Sequence, residues 1–441
     1  MSRNGFRLLS SEPRKPRIDW PVWRACIQHW ISRHRPQLTS NQPLRYSALL
    51  VALVAVCMSG GASCSNTSSD SSPQISRTEL EQSLAKLRQS QGAPWGVTVP
   101  GLAAAIGSGA DGPVEVIDAV SGSSNPPGNT ALATLDRFHV GSVTKTFTAA
   151  LIMQLAQEGK LSLSDPISKW IEFPGGDDIS IRMLLGHTSG IQSFDELPGH
   201  SRMLSPEQSI DLAAAVPPLY TPGSSWAYSN TNYTILGVIA EKVSGSTWES
   251  EVSERFFGPL GLRDTYVWSG KSKGSTVAGS RLTCGQPNEP KCAPPRPGFR
   301  IVPEEDGFDW TVSWAAGAIV STPADLVRWM DGLMGGEVVD KAHLELMMTP
   351  TPESVQELQV YPKFGPLKWT GDGLGLLQYQ IDGVGTAYGH EGLINGFSAN
   401  VAHIPATGLT VAVASNFVPF DTFEALGYLI VQASAAANKP R

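Results

Sequence analysis

One stretch limits what this chain can fold into more than any other. Gly141-Ser142-Val143-Thr144-Lys145-Thr146-Phe147 runs on through Thr148-Ala149-Ala150-Leu151-Ile152-Met153 and stops at Gly159. Glycine supplies a tight turn before it and a left-handed stop after it. The spacing predicts a helix with Ser142 in its first turn. Val143, Phe147, Leu151 and Leu155 fall on one face, while Ala149, Ala150, Ile152 and Met153 cover much of the rest. A helix apolar nearly all round belongs inside a protein.

Ser142 and Lys145 are three apart, so they share a helix face and their side chains can meet. Burial lowers a lysine pKa from its free value of about 10.4. A drop of roughly three units lets the amine take the Ser142 proton near neutral pH. The N-terminal end of the helix favours an oxyanion beside it. The pattern alone is weak, because Ser-x-x-Lys arises by chance roughly once or twice in a chain this long. Ser83-Leu84-Ala85-Lys86 is a second instance, on a polar stretch that reads as a solvated helix face. The buried setting separates the two.

The chain has 441 residues with 41% hydrophobic and 17% charged side chains, an ordinary globular balance. The net charge of −7 conceals an asymmetry: residues 1–45 carry nine Lys and Arg against Glu12 and Asp19, or +7, leaving −14 for the rest. An acidic body excludes nucleic acid as the expected partner. The basic leader, with Trp20, Trp23 and Trp30, reads either as a membrane-surface helix or as an unstructured extension. Ala48 to Met58 is an uncharged apolar run, short for a membrane span and suited to a secretory signal. Gly60-Gly61-Ala62-Ser63-Cys64 follows. It resembles the lipobox of bacterial lipoproteins, with Gly61 where that motif usually carries Leu, and implies a lipid on Cys64. Export without the lipid, or an uncleaved anchor, stays open. Residues 65–75 are a Ser-rich tether.

The expected domain spans 76–437. Thr78 to Gln91 reads as a helix, and Val97 to Ile106 and Val114 to Val120 as strands. Asp165 to Ile171 and Ile179 to Leu185 read as short helices, the second ending at His187, which fits a turn better than catalysis. Tyr228 and Asn230 stand at the start of another apolar helix, Ile235 to Val243, closed by Gly245. The bland reading there is a buried Tyr and an Asn cap. Asp264 to Pro303 reads as irregular, and its Cys284 and Cys292 as a disulfide pair in an exported chain, with a zinc pair as the alternative although no further Cys lies nearby. Trp314 to Leu326 reads as a strand and a capped start, leading into a helix over Ala324 to Met334. Gly373 to Tyr379, Gly396 to Ile404 and Thr410 to Ser415 read as strands, and Phe423 to Ala433 as a closing helix. Strands early and late predict one sheet built from both chain ends, with the helical middle as an inserted lobe and a site between the two.

Three pieces then line up in order: Ser142-Val143-Thr144-Lys145, Tyr228-Ser229-Asn230 and His390-Glu391-Gly392. Ser-x-x-Lys with two later triplets resembles the serine β-lactamases and penicillin-binding proteins. The Tyr-Ser-Asn form is similar to class C β-lactamases and the D-alanyl-D-alanine carboxypeptidases, and His-x-Gly more to the latter. As an exported lipoprotein, the chain also resembles mycobacterial-type envelope proteins. The resemblance spans roughly residues 76–437. It implies an α/β (α+β), β-lactamase/transpeptidase-like fold, an antiparallel sheet flanked by helices plus a helical lobe. It further implies Ser142 as acylated nucleophile, Lys145 and Tyr228 as the base system, and Asn230 as a substrate and lysine guide. His390 stands in for the third-motif cation. Gly392 completes that triplet, Ser142 and Leu393 supply oxyanion N–H groups, and Trp314 lines the cleft. Glu391 departs from the usual Thr; facing the cleft, it repels a substrate carboxylate. That favours an esterase or amidase acting on neutral acyl groups.

The implied partner is a small-molecule or peptidoglycan-derived substrate, with the membrane reached through a lipid anchor. No metal or cofactor enters this reading. The eight histidines are scattered, with no His-x-His to suggest a metallo-hydrolase. The rival is a non-catalytic envelope lipoprotein that binds penicillin or peptidoglycan, for which Lys145 has no use.

Overall fold

The computed structural model describes residues 75–109, 114–198, 204–283, 300–303 and 310–437. The leader, Cys64, most of the tether and the Cys284–Cys292 pair lie outside them. Among the described residues no helix is long and apolar enough to cross a membrane.

Twelve strands are labelled: β1 (Gly101–Ser108), β2 (Glu115–Gly122), β3 (Phe138–His139), β4 (Tyr266–Val267), β5 (Ser280–Thr283), β6 (Arg300–Pro303), β7 (Ile319–Ser321), β8 (Leu367–Asp372), β9 (Leu377–Ile381), β10 (Gly385–Ile394), β11 (Phe397–Ile404) and β12 (Leu409–Ser415). The longer helices are α1 (Arg77–Gly92), α2 (Thr144–Gln157), α3 (Asn230–Ser244), α4 (Pro323–Met334) and α5 (Thr422–Ala437).

The main sheet runs β2-β1-β12-β11-β10-β9-β8 and is antiparallel throughout. Its two chain ends meet where Leu102 to Ser108 pair with Ser415 to Leu409, as the strand pattern predicts. Strand residues alternate faces. On one face Ala103, Ala105, Ala399, Val401, Ala412 and Ala414 join the core that encloses α2. Small residues there let helices approach closely. The other face carries Tyr379, on which Phe423 of α5 packs edge-on at 5.8 Å.

Helix α2 lies inside that core, with residues 144–153 and 155 buried. Its buried threonines are each bonded, as the interior requires. Thr144 accepts from Ile319 N–H at 3.1 Å, Thr146 from the Trp329 indole at 2.8 Å, and Thr148 from the Trp248 indole at 3.1 Å. Phe147 stacks on Trp329 of α4 with centroids 3.8 Å apart.

Several expectations need correction. The strand in the N-terminal region starts at Gly101 rather than Val97, because Ala93–Trp95 forms a 3-10 turn after α1. Asp264 to Pro303 is not wholly irregular: β4 joins β7, and β5 pairs with β6. Trp314–Gly317 is a short helix, not a strand; Ala315 and Ala316 carbonyls there accept from Thr148 and Lys145 of α2, which bends the segment around that helix. Gly373 to Tyr379 crosses a turn between β8 and β9.

Candidate active site

The nucleophile candidate is set by the strand before it. Val140 N–H bonds to Ile319 O of β7 at 3.0 Å, and Gly141 follows at φ +51°. A Cβ on Gly141 would sit 3.0 Å from Leu393 N, so a side chain would push β10 away. Ser142 lies in a 3-10 turn, Gly141–Val143, and α2 proper begins two residues later. The sequence placed it in the α-helix itself. Its N–H still lies at the N-terminal end, where partial positive charge gathers.

Lys145 Nζ is fully buried and has three oxygens around it. Ser142 Oγ is 2.9 Å away, Asn230 Oδ1 2.7 Å and Ala316 O 2.7 Å. The rings of Tyr228 and Tyr233 lie 4.9 and 5.5 Å from it. Burial brings its pKa down from 10.5 to about 7, with Asp195, Glu391 and Asp372 pulling the other way. A neutral amine has two N–H bonds and one lone pair. Asn230 Oδ1 and Ala316 O can only accept, so they take both hydrogens. The lone pair is left for the Ser142 hydroxyl.

Tyr228 comes from just before α3. Burial pushes its pKa well above the ordinary value, with Ser142 beside its hydroxyl pulling the other way. It is therefore a phenol, able to pass a proton but costly to ionise. That leaves the amine as the base. Asn230 opens α3; its N–H donates to Ser193 Oγ at 2.8 Å and its Nδ2 to Asp195 at 3.0 Å. The carboxamide is thus oriented at both ends, oxygen toward Lys145.

Strand β10 closes the other side. β9 pairs with it only as far as Gly389, so residues 390–394 present an open edge. The two-residue turn at 395–396 makes Ile394 and Phe397 a hydrogen-bonded pair, and alternation then points the Leu393 N–H away from β11. A Cβ on Gly392 would lie 1.9 Å from Val140 O and 3.0 Å from Ser142 N. The N–H groups of Ser142 and Leu393 are thus brought to the same junction, the arrangement an oxyanion requires.

His390 departs from the expected cation. It is 1% exposed, and burial, reinforced by Lys145, drives its pKa down to about 3. Its Nδ1 lies 2.5 Å from Glu391 O, a pure acceptor, so Nδ1 carries the proton of a neutral ring. Glu391 shares its sheet face with its cross-strand partner Asn400 rather than with His390. Burial raises its pKa to about 8, with Lys145 opposing and Asp421 reinforcing. Largely protonated at neutral pH, it repels a carboxylate far less than its formal charge implies.

Trp314 is placed elsewhere. Its indole donates to Glu249 at 2.7 Å, meets Trp248 edge-on and packs where a Gly237 Cβ would stand. The backbone near it, through Ala316 O, is what reaches Lys145. Sequence reasoning missed Ser193, Asp195, Ala316, Tyr233 and Asp372. Only Tyr233 carried a local signal, standing one helical turn after Asn230. Among the described residues no group of three or more His, Cys, Asp or Glu could hold a metal ion.

This fold and this junction are those of a known class, and the chain belongs to the β-lactamase family: the family profile matches residues 91–435. Penicillin-binding protein 4 of Amycolatopsis lactamdurans is 29% identical over 332 residues, 72% of this chain and 81% of that protein. A D-stereospecific amidohydrolase from Streptomyces sp. is 29% identical with a TM-score of 0.63, covering 78% of this chain and 97% of that one. The D-amino acid amidase of Ochrobactrum anthropi SV3, complexed with L-phenylalanine amide, shares the fold at TM-score 0.65 and 23% identity, over 81% of this chain and 98% of that one.

Proposed function

We propose that the protein is a serine hydrolase that cleaves an amide, ester or D-amino-acid peptide bond through an acyl-enzyme on Ser142. The observation that carries this is the hydrogen-bond set of Lys145, two acceptors for its two hydrogens and a lone pair for Ser142. Ser142 Oγ attacks the carbonyl carbon as its proton passes to Lys145. The carbonyl oxygen gathers charge between the N–H groups of Ser142 and Leu393. Tyr228 relays the proton to the departing nitrogen or oxygen, and water then attacks the acyl carbon by the same route in reverse. The Streptomyces relative supports an amide as substrate.

Export and a lipid on Cys64 belong to the same proposal, supported by the apolar run at 48–58 and the small residues before the cysteine. Intact mass of the cell-derived protein tests it: a diacylglycerol on Cys64 is expected, lost in Cys64→Ser. Unmodified protein starting elsewhere ends the anchor proposal.

A fluorophosphonate and a fluorescent penicillin are expected to add mass at Ser142. Ser142→Ala is expected to lose both labels and to lower ester and amide turnover at least about a thousandfold with an unchanged melting temperature. Folded wild-type protein that takes neither label and turns over no substrate would favour the penicillin- or peptidoglycan-binding alternative.

A further inference from the structure

His187 stands in the turn after the short helix Ile181–Leu185, fully enclosed at 1% exposure. Its φ is +56°, a left-handed conformation uncommon for any residue but glycine and asparagine. Its contacts converge on one neighbour. The His187 carbonyl accepts the Ala227 N–H at 3.0 Å and the Tyr220 hydroxyl at 3.1 Å. Its ring Nδ1 accepts the Ser229 N–H at 3.1 Å. Between those two amides lies Tyr228, whose ring stacks on the imidazole at 4.4 Å and 28°. Tyr233 flanks the same imidazole at 5.3 Å. One residue thus holds the main chain on both sides of Tyr228 and the face of its ring.

Accepting an amide hydrogen requires Nδ1 to be unprotonated, so the ring is the neutral Nε2–H tautomer. Burial, with Lys145 and then His390, holds its pKa well below the ordinary value, in the same direction. The turn itself does not call for imidazole, since asparagine or glycine suits a left-handed position with less strain. What imidazole adds is the acceptor for Ser229 and a flat surface for the phenol. The Tyr228 ring lies 4.9 Å from Lys145 Nζ, itself 2.9 Å from Ser142 Oγ, so any tilt of this ring is felt at the reacting atoms.

We infer that His187 is the positioning residue for proton delivery, holding the Tyr228 phenol where it can hand a proton to the leaving group. This rests on the acyl-transfer reading above. It says more than that the histidine supports the fold. Loss of His187 must harm leaving groups that need a proton and spare those that do not.

The test uses p-nitrophenyl, phenyl and ethyl esters of one acyl group, with kcat/KM reporting acylation. Wild type, His187→Asn, His187→Phe, Tyr228→Phe and the His187→Asn/Tyr228→Phe double variant are compared, each with its melting temperature. Nitrophenolate departs unprotonated, whereas ethoxide requires a proton. His187→Asn suits the left-handed turn and removes the stacking face. It is expected to lower kcat/KM for the ethyl ester about 10–100-fold and for the p-nitrophenyl ester less than about threefold. In the Tyr228→Phe background it is expected to change the ratio no further, because the effect passes through that phenol. Should His187→Asn fail to fold, His187→Phe keeps a flat face, removes the Nδ1 acceptor and is expected to shift the ratio in the same direction. Equal losses across the three esters, or a further shift of the ratio without the phenol, overturn the inference and leave His187 a fold residue. A wild-type enzyme inert toward all three esters instead overturns the acyl-transfer reading on which it stands.

Discussion

Lys145 works because burial strips water from its ammonium form. Burial draws its pKa to about 7 against the attraction of Asp195, Glu391 and Asp372. The base is the neutral amine, so kcat/KM is expected to rise with pH through a limb centred near 7. A profile that falls across that range would assign the limb to a group acting as its acid. Asp195 is exposed and bonds to Asn230 Nδ2, and its charge favours the ammonium. Asp195→Asn is therefore expected to move the limb to lower pH, by less than about one unit because solvent screens an exposed carboxylate. A shift to higher pH would mean that Asp195 acts through Asn230 geometry and not through charge. None of this could be read around Lys145 from its own neighbours in sequence. Asn230 and Ala316 are 85 and 171 residues away along the chain.

At the scale of elements, the site is a meeting of one helix start with one strand edge. The three glycines of β10, at 385, 389 and 392, weaken its strand signal, so local pattern does not mark it as a strand. In the structure the last of them is what lets the edge reach Ser142. Gly392→Ala would place a methyl 1.9 Å from Val140 O, and backbone cannot yield as a flexible side chain can. The variant is expected to lose about 100-fold or more in kcat/KM, the scale of one lost oxyanion donor. Steady-state kinetics beside a thermal melt checks it, and activity within about threefold of wild type would remove β10 from the oxyanion role. The same strand shows why His390 looked like a cation and is not one: a triplet in the sequence names a residue, while its charge depends on how much water the neighbouring chain excludes.

At the scale of the molecule, the sheet is closed by its two ends. The β1–β12 register joins residues about three hundred positions apart, so loop closure comes before its reward. Helix α5 covers one face, with Phe423 packed on Phe364 at 5.0 Å, Trp369 at 6.3 Å and Tyr379 at 5.8 Å. A chain ending at residue 420 is expected to expose those rings and to lose both its cooperative thermal transition and the Ser142 label. A sharp melt in that truncation would show that the sheet stands without its outer helix.

That α2 is interior, that Ser142 and Lys145 share a face, and that strands at both ends of the chain make one sheet are legible in the residue order. Each follows from local periodicity and spacing, which act over a few residues. The tertiary structure alone decided which oxygens take the Lys145 hydrogens, that His390 is neutral, that the indole of Trp314 turns to Glu249, and that His187 grips Tyr228. Those depend on desolvation and on contacts between distant segments, and no pattern within a single segment carries that information.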